Sequence, residues 1–61
     1  MSMIDLYNKL TSIVGFGEVS SLALRREGGL NWGDIHRLTD AGLIRYTRSA
    51  GEVPVYLLMF P

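Results

Sequence analysis

The stretch Asn31 to Tyr46, NWGDIHRLTDAGLIRY, constrains the fold more than any other part of the chain. Asn31 carries an amide side chain that accepts from the first free backbone N–H groups of a helix. Ile35 and Leu38 follow on one face, with Asp34, Arg37 and Asp40 on the other. Gly42 then stops the helix, because a residue without Cβ adopts the left-handed conformation beyond a helix end freely. Leu43-Ile44-Arg45-Tyr46 begins a β-rich run directly afterwards. The pattern dictates a short helix, about 31–41, that turns on a glycine into a strand.

Ahead of this junction the spacing predicts two more helices. Over about 2–14, Ile4, Leu6, Tyr7, Leu10, Ile13 and Val14 recur at three- and four-residue intervals, the mark of an amphipathic helix. Ser2 is its expected N-cap, with Asp5 three positions on. Gly15 and Gly17 bracket Phe16, which is expected to plug the core. A second helix is expected over about 18–27, with Val19, Leu22 and Ala23 as its buried stripe. Glu18 suits the positive end of that helix dipole, and Arg25 and Arg26 the negative end. Gly28-Gly29 then gives a tight turn, after which Leu30 points inward.

Beyond the junction a β-hairpin is expected, with strands at about 43–48 and 53–60 around the small-residue turn Ser49-Ala50-Gly51-Glu52. Alternation puts Ile44, Tyr46 and Arg48 on one face and Arg45 and Thr47 on the other. Pro54 near the start of the return strand is tolerated where an N–H is not needed. That strand is apolar on both faces, with Val55, Leu57 and Met59 on one and Tyr56, Leu58 and Phe60 on the other. A strand with one wet face alternates apolar with polar. The expectation is therefore a homodimer in which Tyr56, Leu58 and Phe60 are covered by a second copy.

"V-x-x-L-A" at Val19–Ala23, a glycine turn and a further short helix make a helix-turn-helix arrangement. With "L-x-x-A-G-L-I-R-Y" at Leu38–Tyr46 running into a hairpin, the chain resembles winged helix-turn-helix domains. One departure is visible: the family's more usual "L-A-x-x-L" is here Leu22-Ala23-Leu24-Arg25-Arg26. The resemblance implies one domain over 1–61, mainly α with a small antiparallel β-hairpin, and binding of double-stranded DNA by a small transcriptional regulator. In such a domain the start of the third helix reaches base edges in the major groove. Here that places Asn31, Trp32, His36 and Arg37 at the DNA, Arg37 suiting guanine and Asn31 adenine. Arg25 and Arg26 would hold phosphates from the second helix, and Arg45 and Arg48 would reach the backbone from the hairpin. Trp32 and His36 have plainer readings too, as a cover over Ile35 and Leu38 and as a surface polar residue.

Composition bears on this in both directions. Arginine supplies five of the six basic residues, all between positions 25 and 48, and its planar fork suits phosphate and guanine. Against that, the net charge is zero, and Asp34 and Asp40 share the exposed helix face. The same fold used as a protein-interaction or assembly module is the alternative expectation, and an RNA-binding use a weaker one. The chain has no cysteine and one histidine, and it lacks a phosphate-binding glycine loop. An enzyme, a metal and a cofactor are accordingly not expected. No apolar run approaches the roughly 18 residues of a membrane helix. A cytoplasmic location is expected, nucleoid-associated if DNA is the partner.

Overall fold

A computed structural model describes residues 2–59. The elements run α1 (Met3–Val14), β1 (Gly17–Ser20), α2 (Ser21–Arg26), α3 (Trp32–Asp40), β2 (Ile44–Ala50) and β3 (Val53–Leu58). Three helices pack on one face of a three-stranded antiparallel sheet with strand order β1-β3-β2. The result is a small α/β domain rather than a helical one with a hairpin attached.

Helix α1 forms as its spacing predicts. Ser2 caps it, its hydroxyl accepting from the Asp5 backbone N–H at 3.2 Å. Tyr7 and Leu10 are buried and Met3, Leu6 and Val14 pack beside them, while Ile4, Ile13 and Phe16 are exposed. The buried stripe is thus narrower than the apolar pattern, and Phe16 lies at its margin, edge-on to the Tyr7 ring.

The expected second helix is corrected most. Its first residues are strand β1, paired along its length with β3 from Gly17↔Leu58 to Ser20↔Val55. Val19 is buried on the sheet, not on a helix. Helix α2 begins only at Ser21, capped by the Ser20 hydroxyl, which accepts from the Ala23 N–H at 3.2 Å. Starting the helix later moves its core face onto Leu24, which is fully buried, and leaves Leu22 45% exposed. Glu18 stands on a strand and has no helix dipole to serve.

The hairpin also differs from strict alternation. Tyr46 pairs with Tyr56 and Arg48 with Val55, so Thr47 is an extra residue, a bulge. Neighbours on β3 face opposite ways, and the bulge therefore puts Arg48 on the face away from the helices, beside Arg45, not with Tyr46.

The doubly apolar β3 has an explanation within one chain, because it is the central strand. Tyr56 and Leu58 face the helices and are 7% and 1% exposed, in the same cluster as Leu24, Leu30, Ile35, Leu38 and Ile44. Val55 faces the other way yet is only 5% exposed. Arg48 on β2 and Glu18 on β1 meet across β3, Nε to Oε2 at 3.0 Å, on the face to which Val55 belongs. Tyr56 and Leu58 are therefore core residues, not dimer contacts. Phe60, assigned to the same interface from the sequence, lies outside the described residues.

Candidate nucleic-acid interface

Helix α3 is fixed at both ends by local chemistry. The Asn31 Oδ1 accepts from the Asp34 N–H at 2.8 Å and the Asp34 carboxylate accepts from the Asn31 N–H at 3.4 Å, a reciprocal capping box. At the far end Gly42, at φ 76°, donates to the Thr39 carbonyl and Leu43 to the Leu38 carbonyl. Those two bonds are the Schellman arrangement, with Leu43 packed against the core that holds Leu38. Ile35 and Leu38 are buried, so the Trp32, His36 and Arg37 side of the helix is turned outward.

The turn from α2 to α3 is held close to α1. A Cβ on Gly28 would lie 2.4 Å from Leu10 Cδ1 and 2.6 Å from the Leu24 carbonyl oxygen. Leu30 closes the turn, donating to that same Leu24 carbonyl at 3.1 Å. The approach of the two helices brings Arg25 of α2 over the Trp32 ring, the guanidinium carbon 5.4 Å from its centroid. His36, one turn further along α3, flanks the indole with ring centres 6.4 Å apart and planes inclined by 37°.

The remaining arginines divide by partner. Arg37 donates to Asp34 on its own helix at 2.5 Å. Arg48 is held by Glu18, and Thr47 donates both to Glu18, at 3.4 Å, and to the Val55 carbonyl. Arg26 and Arg45 are exposed and carry no ion pair among the described residues. Of the eight side chains expected at a nucleic acid, Arg25, Trp32 and His36 form one cluster, Asn31 and Arg37 are each bonded to Asp34, Arg45 and Arg48 lie on β2, and Arg26 belongs to none of these groups.

Two of these commitments alter what the residues offer. A bidentate adenine contact needs the Asn31 oxygen, and the cap already uses it. Asp34 and Glu18 compete with any outside anion for Arg37 and Arg48, and Thr47 donates to the same Glu18 carboxylate. An open, shallow depression of about 370 Å³ lies between α3 and β2, lined by Thr39, Gly42, Ile44, Arg45, Tyr46 and Met59. No local sequence signal marks it, since it exists only where the end of α3, the start of β2 and the end of β3 converge.

Among the described residues no group of three or more His, Asp or Glu side chains could hold a metal, and no helix is long and apolar enough to cross a membrane. Compared with protein-family models, with curated proteins and with solved structures, the chain matches none.

Proposed function

We propose that the chain is a winged helix-turn-helix domain that binds double-stranded DNA, with the outward side of α3 as the reading surface and β2–β3 as the wing. One observation carries this proposal above the others. Helices α2 and α3 are joined by a tight glycine turn, and α3 passes through a single glycine into a hairpin with exposed arginines. The glycine turn and the hairpin after α3 support the resemblance to winged helix-turn-helix domains, while Val19 of the V-x-x-L-A run stands on β1 and not on α2. Arg26 and Arg45 supply phosphate contacts without first giving up a partner. Arg37 and Arg48 do so only by exchanging a carboxylate for a phosphate.

The test is duplex binding as a function of salt. Affinity should fall linearly on a logarithmic plot, by about 0.9 per phosphate neutralised. Arg26→Ala and Arg45→Ala should each lower that slope by about 1. Arg37→Ala should cost less in slope, since its charge is already balanced by Asp34. No binding at about 50 mM salt overturns the proposal.

A second reading, a protein-interaction module of the same shape, draws on a different observation. The internal pairing of Arg37 and Arg48 and a net charge of zero leave a weakly charged surface that also exposes Ile4, Ile13, Phe16 and Leu22. Failure to bind DNA together with a specific protein complex would favour it.

A further inference from the structure

Trp32 is the side chain whose placement packing explains least. It is 39% exposed and lies outside the hydrophobic cluster that Ile35 and Leu38 join from the same helix. What holds it is a cation and a polar ring, Arg25 at 5.4 Å over the indole and His36 inclined beside it. The guanidinium lies over the ring of a residue that still has 39% of its surface open.

An exposed aromatic ring with an arginine against it is the pairing on which unpaired nucleobases stack. Every base has a π face, and the arginine adds its cation both to the ring and to the adjoining phosphate. A base inside a duplex offers no such face, because its neighbours already cover it. We infer that Trp32, positioned by Arg25 and flanked by His36, is a stacking platform for one unpaired base. The domain then prefers a duplex next to a single-stranded segment over an uninterrupted one. This rests on the DNA-binding proposal above and adds to it the class of DNA end or junction recognised.

Trp32 is the chain's single tryptophan, so its emission reports this site alone. The experiment titrates the whole chain, at low salt, with three DNAs: a short blunt duplex, that duplex with an oligothymidine overhang, and that duplex with abasic sugars replacing the thymidines. Stacking of one base predicts roughly tenfold tighter binding of the thymidine overhang than of the blunt or abasic forms, with quenching of Trp32 only by the first. By anisotropy of labelled DNA, Trp32→Ala should make the affinities for overhang and blunt duplex equal, while Trp32→Phe should keep part of the preference. Equal affinity for all three DNAs overturns the stacking inference and leaves duplex binding standing. A gain that the abasic overhang reproduces also overturns it, since charge alone then accounts for the preference. Binding to none of the three brings down the stacking inference and the DNA-binding proposal together.

Discussion

Gly28 has room for a hydrogen and nothing larger. Its φ is ordinary, and the constraint is the approach of the turn to Leu10 and to the Leu24 carbonyl. Gly28→Ala drives a methyl into a fully buried side chain and a backbone oxygen, and only the first can swing away. Overpacking of this kind costs about 1–3 kcal/mol. A chain this short has roughly 3–9 kcal/mol in all, so the urea midpoint should fall by a large fraction, measurable by circular dichroism. At this scale the sequence was legible wherever chemistry is local. Ser2, Asn31 and Gly42 each do what their types and neighbours imply, because a cap needs only the next few residues. What was not legible is partnership: nothing near Arg48 in the sequence points to Glu18, nor anything near Arg25 to Trp32. Those pairs exist because distant elements meet.

At the scale of elements, strand β1 and the burial of β3 were hidden for one reason. Gly17–Ser20 is four residues with a single apolar side chain, too short to show a period, and its pairing with β3 decides its conformation. Without β1, β3 looks like an edge strand whose second apolar face wants a partner. With β1 in place it is central, and the Arg48–Glu18 pair crosses its far side. Leu58→Glu separates the two situations. On a dimer face it would give a folded monomer; inside this core it buries an unpaired carboxylate, at a cost of several kcal/mol. The expected outcome is loss of the cooperative unfolding transition, with no folded monomer by size exclusion. The helical positions were more legible than the strands, since a period of 3.6 shows within one segment while the identity of a strand depends on its neighbours.

The molecule as a whole is tied together between its first helix and the residue after its last strand. The buried Tyr7 hydroxyl donates to the Met59 carbonyl, and burial holds that phenol above the ordinary 10.0. A phenol whose folded value exceeds its unfolded one contributes its full stability below about pH 10, and that contribution drains away as pH rises through the folded value. Tyr7→Phe should cost about 1 kcal/mol at neutral pH, by orphaning the carbonyl, and should flatten the alkaline loss of stability above about pH 10. Urea midpoints at the two pH values check both. The central place of β3 has a further consequence for how the chain comes into being. Synthesis delivers the two outer strands first and the strand that joins them last of the described elements. Until Val53–Leu58 emerges from the ribosome, β1 and β2 have nothing to pair with, and the inner sides of the helices have no sheet to rest on. Domains fold as units during translation, but here the unit is not closed until its final strand is free. A chain released only as far as β2 therefore holds two strands that cannot pair with each other, and the native sheet becomes reachable when the central strand joins them.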